Sequence, residues 1–366
     1  MSASGPIGTA GWTLAEAAEA VAAGRISSRE LVTACLERIE RWQPRINAFA
    51  SVYAQEALAA ADRADEWLAS GDVPGPLHGV PLAHKDMFYR PGRRSSMGSR
   101  AAPPAATIRS TLLARLDKAG AIELGTLNMA EFALGPTGHN EYLGHCRNPW
   151  NPDHIAAGSS SGGGAAVAAR LTYGSLGSDT GGSVRLPACV NGVLGLKPTY
   201  GWLSGHGMMP LSYAADTPGV FARSARDLAL ILRVIAGHDP LDARTSSRAV
   251  PDYPALLGEG SLRGLRIGVP SAYFLEGVNE EVSRAVAAAL GVLEGLGAQV
   301  GEVPVPEVAT RHYTELSRVL VYVEASAIHG PRLRDLAAQY STQVRVRAAT
   351  GLGIPAPVYA RALQQR

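Results

Sequence analysis

The chain has 366 residues, with 34 Lys plus Arg against 32 Asp plus Glu, and a formal net charge of +2 implies no polyelectrolyte partner such as nucleic acid. Its length fits two domains or one large α/β domain, and 46% hydrophobic against 18% charged residues excludes a disordered chain. Cys35, Cys146 and Cys189 form no CxxC pair, which argues against a disulfide framework and a zinc ribbon and for a reducing compartment.

The N-terminus MSASGPIGTAGWTLAEAAEA lacks a basic n-region and an apolar h-region, and no run of 18 apolar residues occurs, so the reading is a cytoplasmic protein with no membrane partner. Residues 13 to 70 predict three amphipathic helices, the first ending at Gly24 and the second breaking at Pro44. Ser27 with Glu30 forms a capping-box pattern, and Leu31, Cys35, Ile39 and Trp42 follow at helical spacing. From Gly79 onward, short apolar runs alternate with helical segments, the βα rhythm of a mostly parallel sheet. The expected elements are a helix at 109 to 118, an extended run at Ala121 to Leu124, a small-residue helix at 162 to 171 and a strand at Tyr173 to Ser178. A capped helix near Asp227 to Gly237, a strand at Leu265 to Pro270 and a helix from about Asn279 to Leu296 follow. Segment 238 to 261 is the most linker-like, and PVYARALQQR at 357 to 366 reads as a helix with no terminating Gly or Pro, so the chain is expected to be incomplete at its C-terminus.

Of the 41 glycines, 13 fall between Gly158 and Gly207, where even spacing over 50 of 366 positions would put about 6. That segment holds three candidate chemistries. Gly158 to Gly162 matches the GxSxG elbow with Ser160 as nucleophile, but the preceding stretch has two prolines and no convincing strand. A phosphate-binding loop fails for want of a lysine after the glycines. In DTGGS, by contrast, the N–H groups of Thr180, Gly181, Gly182 and Ser183 form a candidate oxyanion nest beside a serine nucleophile. His206 is the nearest downstream histidine, and sequence distance alone does not exclude it as the base.

GSSSGG, GSDTGGSVRLPA and NGVLGLKPTYG, together with GVPLAHKD around Lys85 and TLNMAEFALGPTGHN followed by RNPWNP, resemble the amidase signature family over residues 10 to 237 and more loosely beyond. The resemblance implies a Ser-Ser-Lys triad in which Ser183 attacks, Ser159 relays protons and Lys85 is the base, without metal or cofactor. Separations of 74 and 24 residues from Lys85 to Ser159 to Ser183 suit the family, and the 24-residue spacing favours Ser159 over Ser160. The peptide bond before the relay serine, here Gly158–Ser159, is cis in the family. Lysine serves as a base at neutral pH only if burial lowers its pKa, and GVPLAHKDMF is apolar enough to bury it. Ser160 and Ser178 are read as supporting residues, and Asp179 and Arg185 as a loop brace, with Arg185 on a substrate carboxylate as the sharper alternative.

The implied fold is α/β, with a mixed central β-sheet flanked by helices and an N-terminal helical segment. The chain 1–366 then reads as one amidase signature domain, with helices at about 10–70, a catalytic core at about 75–237 and a second lobe at about 262–366 that is incomplete. The expected activity is hydrolysis of a linear carboxamide through an acyl-serine, with a small-molecule amide as partner; a homodimer is left open. The first alternative is the glutamine-hydrolysing A component of an amidotransferase, set second because LSGHGMMPLSYAADTPG after KPTYG differs from its usual residues. The other is a non-catalytic binding protein, should the chain truly end at Arg366. His139, His145, Cys146 and His154 fit no zinc spacing, His84 is read as packed across a strand, and the arginines of RPGRRSSMGSR as solvated. Met208, Met209 and Tyr213 are candidates for an acyl pocket or for core.

Overall fold

The computed structural model describes residues 8–258, 261–270, 272–305 and 313–366. Three helices open the chain: α1 (Leu14–Ala22), α2 (Ser28–Ile46) and α3 (Ala54–Ala69). The Ser27–Glu30 capping box forms, each side chain bonding the other's backbone N–H, and Leu31, Cys35 and Ile39 are buried. Burial of each such aliphatic side chain stabilises the fold by about 1.5–3 kcal/mol. The expected break at Pro44 is not observed, because α2 continues to Ile46 and ends at Asn47 in the left-handed region. A proline near a helix C-terminus removes only its own donor, and here the cap N–H of Asn47 bonds Gln43 O at 2.8 Å. Periodicity also missed the short strand β1 (Phe49–Val52), which lies between two strong helical signals.

The strand β2 (Pro81–Lys85) is buried at every residue and runs parallel to β3 (Ile122–Leu127), with Lys85 opposite Leu127; β1 adds antiparallel on the other edge of β3. Between β2 and β3 lies α4 (Thr111–Lys118). A second sheet is wholly antiparallel, in the order β4 (Ser175–Asp179), β6 (Thr217–Ala222), β5 (Leu194–Leu196). The start of β4 lies against β2 through Tyr173 N–H to Pro81 O at 3.2 Å and Leu176 N–H to His84 Nδ1 at 3.1 Å. This proximity is what brings the ends of β2 and β4 to one place. The mixed α/β fold is as expected, although its strands divide into small sheets.

Between the two sheets sits the small-residue helix α5 (Ser161–Ala168). A Cβ on Gly162 would stand 2.2 Å from Ala48 O and 2.6 Å from Asn128 N, both backbone atoms that have no room to yield. Gly162→Ala is therefore expected to destabilise the protein by about 3 kcal/mol. Gly181→Ala, with nothing within 4 Å of its Cβ, should stay within about 0.5 kcal/mol. Urea denaturation midpoints of the two variants check the contrast.

Downstream come α6 (Arg185–Asn191), α7 (Ala225–Ile235) and the short α8 (Tyr253–Leu256). The linker expected at 238 to 261 is instead pinned over its first part. Asp239 accepts Thr111 Oγ1 at 2.6 Å and Ser204 Oγ at 2.5 Å, Asp242 holds Arg244, and Asp239, Asp242 and Thr245 are buried; residues 259 and 260 lie outside the described residues. Two parallel strands, β7 (Arg266–Pro270) and β8 (Gln299–Val303), flank α9 (Glu280–Gly295), none of whose residues is buried. The long helix α10 (Tyr313–Leu336) and then α11 (Thr342–Thr350) return to the main core, which runs from Leu14 to Ala348, and α12 (Ala356–Gln365) reaches α10 through Tyr359 and Glu324. No described helix is long and apolar enough to cross a membrane.

Candidate active site

Lys85 ends β2, where the strand's burial on both faces carries an ammonium-bearing side chain into the core. It is fully buried, and its Nζ lies 2.7 Å from Ser159 Oγ and 2.9 Å from Ser178 Oγ. Desolvation lowers its pKa to about 7, against the opposing pull of Asp216 and Asp179. At neutral pH a large fraction of Lys85 is therefore neutral amine. A neutral amine has one lone pair, so it can accept the Ser159 proton while an N–H still donates to Ser178.

Ser159 is fully buried and follows a cis Gly158–Ser159 bond. Its neighbour Ser160 is occupied differently: Ser160 Oγ donates to Ser178 O at 3.2 Å and accepts Ser178 N–H at 3.3 Å, which ties it to β4. Only Ser159 of the serine run hydrogen-bonds the lysine among the described residues. Ser160 N–H also donates to Ser183 O at 3.3 Å, so the loop bearing Ser183 runs directly alongside the serine run.

That loop is built around a buried carboxylate. Asp179, the last residue of β4, accepts the N–H groups of Gly182 at 2.8 Å, Val184 at 3.1 Å and Arg185 at 3.3 Å. Arg185 closes the brace with a fork, Nε at 3.0 Å and a terminal guanidinium nitrogen at 2.8 Å. Burial pushes the Asp179 carboxyl up, but Arg185 and the backbone donors outweigh it and hold it below the usual carboxylate range. One expectation is corrected here, because the Gly182 N–H points at Asp179 and is not free for an oxyanion. The N–H groups of Thr180, Gly181 and Ser183 have no acceptor among the described residues and remain available.

Ser183 is half-buried and opens on a cavity of about 250 Å³, lined by Thr180, Gly181, Leu186 and Leu211 and, from α10 and α11, by Arg318 and Arg347. Neither arginine was singled out from sequence, since isolated arginines in unmotivated helices carry no local signal. Arg347 donates to Leu134 O at 2.6 Å, and Arg318 has no hydrogen-bond or ion-pair partner among the described residues.

Other candidates lie elsewhere. His84 is buried, accepts Leu176 N–H on Nδ1 and is driven by desolvation to a pKa of about 3. Met208 and Met209 belong to the core, Tyr213 is exposed, and none of the three lines this cavity. His145 accepts Asn140 N–H at 3.1 Å, and its ring packs edge-on against His139. The arginine loop is not simply solvated, as Arg90 is buried and paired with Glu123 while Arg93 pairs with Glu56. Asp216 and Glu324, also missed, link this neighbourhood to distant segments.

A family model described as Amidase matches residues 30–347. The chain belongs to the amidase signature family. It is 48% identical over 316 residues to the A component of the glutamyl-tRNA(Gln) amidotransferase of Halorhodospira halophila, a match that covers 86% of this chain and 64% of that protein. The chain thus spans less than two thirds of that relative's length. Among solved structures, one from a vestigial protein complex bearing on the origins of an s-triazine catabolic enzyme superposes with a TM-score of 0.90 at 36% identity, over 97% of this chain and 76% of that one. The peptide amidase of Stenotrophomonas maltophilia superposes with a TM-score of 0.86 at 33% identity, over 97% and 78%. Cleavage of carbon–nitrogen bonds is the chemistry of this family.

Proposed function

We propose that this amidase signature chain cleaves a carboxamide through an acyl-Ser183 intermediate, with Lys85 as base and Ser159 as proton relay. The observation that carries the reading is a desolvated Lys85 amine 2.7 Å from Ser159 Oγ, beside the loop that presents Ser183 to a cavity. Ser183 Oγ attacks the carbonyl carbon as its proton passes to Ser159 and the Ser159 proton passes to Lys85. The N–H groups of Thr180, Gly181 and Ser183 receive the oxyanion, each such donor contributing about 3 kcal/mol to the transition state. On collapse, Lys85 returns a proton through Ser159 to the leaving nitrogen, the C–N bond breaks, and ammonia or an amine departs. Water, deprotonated by the same relay, then cleaves the ester. Residues Ser160, Ser178, Asp179 and Arg185 hold the parts in register.

The substrate reading put second from sequence moves to first place. That the 48%-identical relative is an amidotransferase subunit supports the glutamine-hydrolysing reading, in which the side-chain carboxamide of glutamine is the substrate and further protein components and an acceptor take the ammonia. The two arginines of the cavity supply positive charge for the carboxylate of such a substrate, a role Arg185 is less free to fill while its fork grips Asp179. A free-standing amidase is the second reading, supported by the superposition on a peptide amidase.

Ammonia release from L-glutamine, from a C-terminally amidated dipeptide and from a neutral aliphatic amide distinguishes them. Glutamine is expected to lead in kcat/KM by at least about tenfold, one charge contact's worth of discrimination. Preference for the dipeptide amide would replace the glutamine reading with the second. Loss of turnover on chelation would contradict a reaction that needs no metal.

A further inference from the structure

The antiparallel register of β4 on β6 places Asp179 opposite Thr217, so the next residue along, Thr180, comes to face the one before, Asp216. The side chains meet there. Thr180 Oγ1 donates to Asp216 Oδ1 at 2.6 Å, while Asp216 Oδ2 accepts Leu211 N–H at 2.7 Å and Ser212 N–H at 3.0 Å. Asp216 as a whole is 5% exposed and has no ion-pair partner among the described residues. Leu211 and Thr180 both line the cavity that Ser183 faces, so one buried group clamps two of its walls.

We infer that Asp216 is a positioning residue for the reaction, fixing Thr180 and with it the loop that carries Ser183 and the oxyanion donors. The inference rests on Ser183 being the nucleophile. Its own turn is anchored from behind. Glu324 of α10 accepts Ser212 Oγ–H and, at 3.1 Å, Ala214 N–H, and Tyr359 of α12 donates to the other Glu324 oxygen at 2.7 Å. A continuous series of hydrogen bonds thus runs from the C-terminal helices through residues 211 to 216 to Thr180. Among the described residues, Asp216 is also the charge acting most strongly on Lys85, ahead of Asp179. Burial raises the Asp216 carboxyl, with Thr180, the two backbone donors and Lys85 opposing. An asparagine here removes the charge and, with its oxygen kept on the two backbone donors, turns its NH₂ toward Thr180, which reverses that hydrogen bond and leaves the Thr180 hydroxyl proton without its acceptor.

The test compares Asp216→Asn, Thr180→Val, the double variant and Thr180→Ser, each with kcat, KM, the pH profile of kcat/KM and fluorophosphonate labelling of Ser183. Asp216→Asn and Thr180→Val should each lower kcat by about 10- to 100-fold with KM within about threefold, the effect of a catalytic loop held slightly out of place. Their losses should not multiply in the double variant, because both remove one interaction. Thr180→Ser, which keeps the hydroxyl, should recover at least about tenfold of the loss. The acid limb of the pH profile should fall by about 0.5–1 unit in Asp216→Asn, since a negative charge near Lys85 is removed, and stay in place in Thr180→Val. Thr180→Val keeps every backbone group, so the inference stays testable if Asp216→Asn fails to fold. Wild-type kcat in Thr180→Val, losses that multiply, or an unmoved acid limb in folded Asp216→Asn would overturn the inference while labelled Ser183 leaves the nucleophile in place. An active wild type labelled elsewhere removes the nucleophile and the inference together.

Discussion

Ser183→Ala is expected to lower kcat by about 10⁵- to 10⁶-fold, as removal of a serine nucleophile does when its base and oxyanion donors remain. The loss should fall almost wholly on kcat. The side chain is half-exposed at the cavity mouth, and its hydroxyl has no hydrogen-bond partner among the described residues, so the binding surface barely changes. For the same reason stability should stay within about 0.5 kcal/mol of wild type. Ser160→Ala provides the contrast, because its hydroxyl makes two buried hydrogen bonds to Ser178. That variant should lose roughly 1–2 kcal/mol of stability and far less rate. Ammonia release, urea denaturation and mass mapping of the fluorophosphonate adduct measure all three quantities. Ser183→Ala retaining activity within tenfold of wild type would sink the nucleophile assignment, and an adduct on Ser160 would restore the elbow reading.

Lys85→Met should abolish turnover to a similar degree while making the protein more stable at neutral pH. The sign follows from proton binding. Lys85 titrates near 7 in the folded chain against an ordinary value of 10.5, so between these pH values the unfolded chain binds the extra proton and wild-type stability rises with pH. The stability that comes with the neutral amine is fully present above about 10.5 and is lost as pH falls toward 7. The pKa difference sets an upper bound of about 5 kcal/mol on the burial penalty. Methionine removes the charge at similar volume but leaves the Ser159 and Ser178 hydroxyls short of a partner, which offsets part of the gain. A net stabilisation of about 1–3 kcal/mol at pH 7 is expected, shrinking toward pH 10. Urea titrations of both proteins at pH 6, 7, 8 and 10 test it. Equal stability of the two at every pH would mean that Lys85 is not held as a desolvated amine.

The N-terminal helices were legible because capping and apolar period agree at Ser27, Glu30, Leu31 and Ile39, all local quantities. Pro44 misled because a rule about helix interiors was applied within a turn of the helix end, and β1 was hidden because four residues between two helices set no period. The linker reading at 238 to 261 failed on chemistry that is silent in composition, since Asp239 and Asp242 look like loop residues until Thr111, Ser204 and Arg244 arrive to pair with them. The Asp216–Glu324 series was illegible for the same reason, since Thr180, Ala214 and Tyr359 reach those carboxylates from 35 or more residues away, and the arginines of the cavity gave no local signal at all.

By itself, the sequence determined which groups are present for amide chemistry: a lysine in an apolar strand, three adjacent serines, and a Gly-Gly-Ser loop framed by Asp179 and Arg185. Their order and spacing were enough to name the family. The 24-residue spacing already favoured Ser159, and the tertiary structure brings the lysine to it, while the chemically identical Ser160 differs in what packs around it. Only the tertiary structure decided that Gly182 spends its donor on Asp179, which no residue type could reveal. The lysine's character was settled in the same way. Ionisation is set by the loss of water and the placement of Asp216 and Asp179, both consequences of folding, so the residue is written in the sequence and its lowered pKa is made by its burial.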